Sequence, residues 1–195
     1  MNKIIIGNDE SGKTKYCKAA VTVSVMNNEE VLYVDVVKLL YDESCVKNTM
    51  QSLSDYQRII DERLEDTTIQ YKPIHIIFDN FDSMADLTNY KLIDRIKTLI
   101  KTAMTNNIGI DFIYTAKYLS GGVFFTTLVE NIQKVILLGP MESVSENIIN
   151  MVFGGKPFDD IVLPEDKCLV CDINYNDDEV CKSVNVKDKE VVFND

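Results

Sequence analysis

Short apolar runs alternate along the chain with segments in which apolar residues recur every three or four positions. The runs predict β-strands at residues 3–6, 31–36, 74–79, 109–115 and 134–138. The helical spacing predicts helices at residues 52–64 and 92–104. We also expect helices at residues 13–26 and 125–132. Because such alternation is typical of a mostly parallel sheet flanked by helices, the pattern predicts an α/β fold.

The pattern changes after Pro164, where it predicts two or three short strands around an acidic turn at residues 174–179. Residues 159–195 carry eleven acidic and four basic side chains. Such an excess of charge indicates either a solvated surface or a docking site for a basic partner, and the sequence leaves both open.

The composition narrows the class of protein. Of 195 residues, 46% are apolar and 26% charged, as in an ordinary globular domain. The net charge is −11 and no basic cluster is present, so we do not expect nucleic acid or an anionic membrane surface as a partner. The best uncharged run, residues 119–129, is too short to span a bilayer, and the N-terminus has no signal-peptide pattern. We therefore expect a cytoplasmic location.

Five cysteines in a chain without an export signal indicate reduced thiols. Cys168 and Cys171 form a C-x-x-C pair, which is half of a common zinc motif. They fall in a predicted strand, where positions three apart point to opposite faces, so we do not expect them to bind zinc together. His75 is alone on a predicted core strand, and we expect it to be packed and hydrogen-bonded.

The motif that carries chemistry lies between the first predicted strand and the first predicted helix. Residues 7–14 match G-x-x-x-x-G-K-[ST], a loop whose backbone N–H groups and following helix N-terminus bind phosphate. Lys13 is expected to reach the β- and γ-phosphates, and the Thr14 hydroxyl to ligate Mg²⁺. The motif predicts ATP and Mg²⁺ as cofactors. The predicted nucleotide-binding residues are Gly7, Asn8, Asp9, Glu10, Ser11, Gly12, Lys13, Thr14 and Lys15.

Asp9 and Glu10 place two carboxylates within this loop. If they point inward they repel a phosphate ligand, and if they point outward they cost little. The sequence leaves both orientations open, and the inward one would make the affinity for nucleotide modest.

A second acidic site follows the predicted strand at residues 74–79. Asp79 ends this strand, where its carboxylate can hold Mg²⁺ directly or through water. The next residue is Asn80, whose amide cannot act as a general base, so we predict slow or absent hydrolysis. Asp82 can act as the general base in place of residue 80 only if the strand predicted at residues 74–79 does not continue through Asp82. If Asn80 is the reason for slow hydrolysis, Asn80→Glu should raise the rate.

Thr115 at the end of the fourth predicted strand either senses the γ-phosphate or is an ordinary strand-end threonine. Any arginine finger offered to a neighbouring domain must come from the three arginines, which are Arg58, Arg63 and Arg95. The predicted catalytic residues are Asp79, Asn80 and Thr115, and the predicted metal ligands are Thr14 and Asp79.

Taken in order, these features resemble the FtsK/SpoIIIE-type ATPases, and within them the C-terminal ATPase domains of the EssC/EccC coupling proteins of type VII secretion. The resemblance spans roughly residues 3–173. Its most specific part is the run Ile-Phe-Asp-Asn-Phe-Asp at residues 77–82 after Pro73. The other matching features are the loop at residues 7–14 and residues 32–35, 60–63, 109–110 and 131–138.

This resemblance implies a RecA-like P-loop NTPase fold with strand order 5-1-4-3-2. We expect one domain over residues 1–195, with a P-loop core at 1–140 and a divergent acidic part at 141–195. Because the chain begins almost directly with a core strand, we expect it to be a fragment of a larger protein. The resemblance implies tandem ATPase domains that lie on the cytosolic face of the bacterial membrane. A hexamer is one assembly that such domains form.

The same resemblance implies partners and two functions. In proteins of this family, the last ATPase domain is often degenerate in its catalytic residues, and it recognises C-terminal signals of small secreted WXG-type substrates. The chain is then a nucleotide-binding module with weak or absent hydrolysis and a role in substrate recognition or regulation. The alternative is a competent ATPase activated only by neighbouring domains or by oligomerisation. A kinase is disfavoured because three arginines do not supply an arginine-rich lid.

Overall fold

The computed structural model describes residues 1–104, 108–117, 132–141, 162–176 and 179–193, and for residues 174–183 the backbone alone. The strands are β1 (Lys3–Gly7), β2 (Glu30–Asp35), β3 (Ile74–Asp79), β4 (Ile110–Ala116), β5 (Lys134–Leu138), β6 (Lys167–Asn176) and β7 (Glu179–Asp188). The α-helices are α1 (Lys13–Met26), α2 (Val36–Tyr41), α3 (Glu43–Leu64), α4 (Tyr90–Met104) and α5 (Lys189–Phe193). A 3-10 helix covers Phe81–Asp86. Within these ranges, no helix is long and apolar enough to cross a membrane.

The strands form one sheet in the order β2-β3-β4-β1-β5-β6-β7. Strands β1 to β5 pair in parallel with one another, whereas β6 pairs antiparallel with β5 and β7 pairs antiparallel with β6. Read from the other edge, the five parallel strands have the order 5-1-4-3-2 that the resemblance implies. The predicted α/β fold with a mostly parallel sheet is therefore confirmed.

Each face of the sheet is covered by different helices. Because side chains alternate along a strand, β1 places Ile5 on one face and Ile4 and Ile6 on the other. The Ile5 face packs against Tyr16 of α1 and Phe193 of α5. The opposite face packs against α2, α3, α4 and the 3-10 helix. Burial on both faces explains why the central strands read as unbroken apolar runs.

Parallel pairing brings the carboxyl ends of the strands to one edge of the sheet. β1 ends at Gly7, β3 at Asp79 and β4 at Ala116. Since β4 lies between β1 and β3, the loop that follows Gly7 lies close to the acidic end of β3. The functional residues predicted from separate parts of the sequence share this edge.

Several predicted elements differ from the structure. The helix expected at residues 52–64 begins at Glu43, because Asp42 caps it by accepting hydrogen bonds from the N–H groups of Ser44 and Cys45. Helix α2 before it was not predicted. The short strands expected near the C-terminus are two ten-residue strands paired as a hairpin. Of the helix expected at residues 125–132, residues 125–131 lie outside the described ranges and Ile132 is not helical.

The two residues of the C-x-x-C pair lie on opposite faces of β6, as predicted. Cys168 belongs to the cluster that packs on α1, and Cys171 to the cluster on the other face. Both side chains are buried. Burial raises the pKa of the Cys168 thiol, which favours its neutral form.

Candidate functional site

The loop between β1 and α1 depends on two glycines. Gly12 has a left-handed backbone, with a φ of 102°, and it directly precedes the first residue of α1. At Gly7, an added Cβ would lie 2.2 Å from the Oγ atom of Ser11. A side chain at Gly7 would therefore prevent the loop from closing over the end of β1.

The ammonium of Lys13 folds back onto this loop. Its Nζ donates to the carbonyl oxygen of Gly7 at 2.6 Å and to that of Asn8 at 2.8 Å. An ammonium carries three N–H donors, so this arrangement leaves a third for another acceptor. Lys13 is 8% exposed, and burial lowers its pKa.

The carboxylate of Asp79 lies next to the start of α1. Its Oδ2 atom accepts hydrogen bonds from Thr14 Oγ1 at 2.8 Å and from the Tyr33 hydroxyl at 2.9 Å. Its Oδ1 atom accepts from Thr115 Oγ1 at 2.5 Å. Asp79 is 1% exposed, and three hydroxyl donors satisfy a charge that would otherwise be costly to bury.

Two residues at this carboxylate were not indicated by the sequence. Tyr33 lies on β2, in register with Ile77 of β3, so only the strand pairing brings its hydroxyl to Asp79. Partial burial, followed by the hydrogen bond to Asp79 and the charge of that carboxylate, raises the pKa of Tyr33 and keeps its hydroxyl a donor. Burial, followed by the Asp79 charge, raises the pKa of the Cys17 thiol, one turn after Thr14.

Asn80 ends β3 through its backbone. Its left-handed conformation, with a φ of 57° and a ψ of 49°, turns the chain into the 3-10 helix. The Asn80 N–H donates to Thr115 Oγ1 at 2.9 Å, while Thr115 itself donates to Asp79. Thr115 is 0% exposed, so its hydroxyl joins the Asp79 carboxylate to the turn that follows it.

The strand therefore does not continue through Asp82. This residue lies in the first turn of the 3-10 helix and is half-buried. Burial lowers the pKa of Lys13, and the charges of Asp9 and then of Asp82 act against that lowering. Asp82 is therefore a second carboxylate, after Asp79, at the carboxyl end of β3.

The two acidic loop residues point away from the loop interior. The Asp9 side chain is 77% exposed and pairs with Lys117 Nζ at 2.6 Å, which lowers the pKa of Asp9. Glu10 is exposed and has a φ of 64°. Of the two orientations that the sequence left open, the structure has the outward one.

The arginines and His75 lie elsewhere. Arg63 donates to the carbonyl oxygens of Lys72, Ile108 and Gly109, so it stabilises loops and is not presented to a neighbour. Arg58 and Arg95 are exposed on α3 and α4. His75 is hydrogen-bonded, as predicted, with Nε2 3.0 Å from Glu29 Oε2, but it is half-buried rather than in the core.

The site fits a phosphate ligand with a hard cation. The exposed residue Thr14 offers a hydroxyl and Asp79 a carboxylate, which are the oxygen ligands that Mg²⁺ prefers. The Ser11 hydroxyl is 1% exposed and has no hydrogen-bond partner in the part of the chain that the structure describes. A buried hydroxyl of this kind is stabilised when a polar ligand supplies the missing partner.

No family model and no curated protein matches this sequence. Solved structures do match. The chain is similar to EssC (ATPases 2 and 3) from Geobacillus thermodenitrificans, with a TM-score of 0.64 at 14% identity over 96% of this chain. It is similar to the cytoplasmic domain of the type VII secretion ATPase EccC from Thermomonospora curvata, with a TM-score of 0.55 at 9% identity over 96% of this chain.

A viral protein has a similar fold. The genome packaging NTPase B204 from Sulfolobus turreted icosahedral virus 2, in complex with ATP-gammaS, gives a TM-score of 0.52 at 12% identity, over 94% of each chain. By contrast, this chain spans 39% of the EssC structure and 24% of the EccC structure. At these identities the likeness shows a shared fold, which is that of the EssC and EccC ATPase domains.

Proposed function

We propose that this chain is a nucleotide-binding module of a type VII protein secretion motor, which binds ATP with Mg²⁺ and hydrolyses it slowly or not at all by itself. One observation carries the proposal, the 2.8 Å hydrogen bond between Thr14 Oγ1 and Asp79 Oδ2. It joins the helix that follows the loop to the carboxylate at the end of β3. The fold shared with EssC and EccC supports the choice of motor.

In this proposal, residues 7–15 hold the nucleotide. The backbone N–H groups of the loop and the N-terminus of α1 face the phosphates. The third N–H of Lys13 donates to a phosphate oxygen, and Thr14 and Asp79 hold Mg²⁺. When bound, Mg²⁺ supplies neutralisation of the phosphate charge.

Calorimetric titration of the 195-residue chain with ATP, in the presence of Mg²⁺ and then of EDTA, tests the proposal. We expect saturable binding that is tighter with Mg²⁺. If the folded protein binds no ATP at millimolar concentrations of ligand and Mg²⁺, the proposal is wrong. Repeating the titration with C-terminal peptides of secreted helical substrates tests the proposed role in substrate recognition.

Slow hydrolysis is assigned to Asn80, which stands where a carboxylate would activate water. We predict that Asn80→Glu raises the turnover of ATP roughly tenfold or more, because a positioned general base contributes at least that much. The left-handed backbone tolerates Asn better than Glu, so the variant should lose about 1 kcal/mol of stability. Steady-state phosphate release and thermal unfolding measure both effects.

Asn80→Gln is the matched control for this variant, because it has the same length and the same backbone cost but no charge. It should lose similar stability and gain no turnover. Equal turnover in the two variants, or brisk turnover in the unmodified chain, would refute the role assigned to Asn80.

The second candidate function is a competent ATPase that neighbouring domains activate. The position of Asp82 favours it, because the end of β3 at Asp79 brings this carboxylate into the field of the Lys13 ammonium. We predict that adding the adjoining ATPase domains raises turnover, and that Asp82→Asn lowers the raised turnover roughly tenfold or more. Phosphate release from the isolated chain and from the longer protein is the measurement. No gain from the added domains would eliminate this function.

The partners of the module follow from the same proposal. Other ATPase domains of the same protein would adjoin it on the cytosolic face of the bacterial membrane. A hexamer is one assembly that such domains would form. Arg58 and Arg95 are the arginines exposed for a neighbouring site. Secreted WXG-type proteins, or their C-terminal signals, would be the substrates.

A further inference from the structure

The last described helix, α5, lies against the candidate phosphate loop. The Phe193 ring packs edge-on against Tyr16, with ring centroids 5.6 Å apart, and its Cζ atom would lie 3.4 Å from a Cβ at Gly12. Lys189, the first residue of α5, contacts the loop directly. Its Nζ donates to the carbonyl oxygen of Ser11 at 2.6 Å and also to that of Gly139. Residues separated by 178 positions are thus joined at the loop.

The bond to Ser11 has a consequence for the loop that follows from peptide geometry. The Ser11 carbonyl and the Gly12 N–H belong to one planar, trans peptide unit, in which the two groups point in opposite directions. A lysine that holds the carbonyl on the α5 side therefore directs the Gly12 N–H away from α5. The left-handed backbone of Gly12 permits this orientation.

We propose that Lys189 is a positioning residue for the phosphate loop, which sets the direction of the Gly12 N–H donor without itself touching the phosphates. The proposal rests on the proposed binding of nucleotide at this loop. Burial lowers the pKa of Lys189, and two carbonyl oxygens accept from its ammonium. The position of α5 and the affinity for phosphate are then coupled, so any partner that displaces α5 weakens nucleotide binding.

A direct contact with the nucleoside is the alternative role for Lys189. A cavity of about 690 Å³ adjoins the loop, and Gly12, Lys15, Lys189 and Phe193 are among its lining residues. A nucleoside in that cavity could meet Lys189. The two roles differ in one respect: a positioning residue affects every phosphate ligand, whereas a nucleoside contact affects only ligands that contain a nucleoside.

The experiment compares Lys189→Met, Lys189→Arg and Lys187→Met with the unmodified chain. Lys187 lies two residues earlier, at the end of β7, and serves as the control for loss of one positive charge. Each protein is titrated with ATP and with tripolyphosphate in Mg²⁺. In the ligand-free protein, the ¹H and ¹⁵N chemical shifts of the Gly12 amide are measured.

We expect Lys189→Met to weaken the binding of ATP and of tripolyphosphate equally, by about tenfold, because the misdirected Gly12 N–H loses one charge-assisted hydrogen bond to a phosphate oxygen. Lys189→Arg, which keeps the charge and the donors, should restore most of the affinity. The Gly12 amide shifts should move in Lys189→Met and stay in place in Lys187→Met.

Three results would overturn the positioning role: unchanged affinity for both ligands, loss of affinity for ATP alone, or an unmoved Gly12 amide. The amide measurement needs no ligand. If the unmodified chain binds neither ATP nor tripolyphosphate, the proposed function fails, and the amide shifts still decide whether Lys189 orients the loop.

Discussion

Replacing Lys13 by methionine is expected to weaken the binding of ATP with Mg²⁺ by at least roughly 100-fold. In the structure the Lys13 ammonium is buried beside the loop, with two N–H groups on the carbonyl oxygens of Gly7 and Asn8. A third N–H directed to a phosphate forms a charge-assisted bond in a site with little water. Losing such a bond and the charge behind it costs about 3 kcal/mol or more, which corresponds to that factor.

Lys18→Met on the same helix is the matched control, because Lys18 is exposed and lies one turn beyond the loop. Calorimetry should show near-normal affinity for this variant and almost none for Lys13→Met. Thermal unfolding should show that both variants are folded. Lys13→Met with an affinity within a few-fold of the unmodified chain would rule out the assigned role of Lys13.

Asp79→Asn is expected to remove most of the effect of Mg²⁺ on ATP binding. The carboxylate is 1% exposed and accepts hydrogen bonds from Thr14, Tyr33 and Thr115. The amide keeps the shape but removes the negative charge next to the metal, and changes of this kind cost roughly 10- to 100-fold in metal affinity. In EDTA, where no Mg²⁺ is present, Asp79→Asn should leave the affinity for ATP unchanged or raise it, because loss of a carboxylate lowers the repulsion of ATP.

Asp35→Asn is the control for Asp79→Asn. Asp35 ends β2 in register with Asp79, and its carboxylate caps α2 by accepting from the Val37 N–H, a role that Asn fulfils well. This variant loses the same charge one strand away and should keep its dependence on Mg²⁺. If the two variants lose that dependence equally, a general charge effect, rather than a metal site at Asp79, explains the result.

The turn after β3 connects the proposed slow hydrolysis with backbone structure. Asn80 occupies a left-handed conformation, and its N–H is bound to Thr115, which in turn donates to Asp79. Asn suits the left-handed backbone that this turn requires, but its amide cannot serve as a general base for hydrolysis. The turn that ends the strand also places Asp82 in the 3-10 helix that follows, and Asp82 is the carboxylate proposed to act when neighbouring domains are present.

Much of the fold could be predicted from the sequence because its signals are local. The apolar runs of β1, β3 and β5 and the helical spacing of α4 depend on neighbouring residues. Where a local cap decides the boundary, the prediction was less accurate: Asp42 begins α3 at Glu43, nine residues before the expected start. The terminal hairpin was predicted as shorter strands because its acidic and polar positions hide the alternation.

The sequence alone determined the candidate phosphate loop and the acidic end of β3, since residues 7–14 and 74–79 each carry their chemistry in consecutive positions. Only the tertiary structure decided which groups surround them. Tyr33 reaches Asp79 through the pairing of β2 with β3, and Lys189 reaches Ser11 from the far end of the described chain. Such contacts depend on strand order and helix packing between distant segments, for which no spacing along the chain carries a signal.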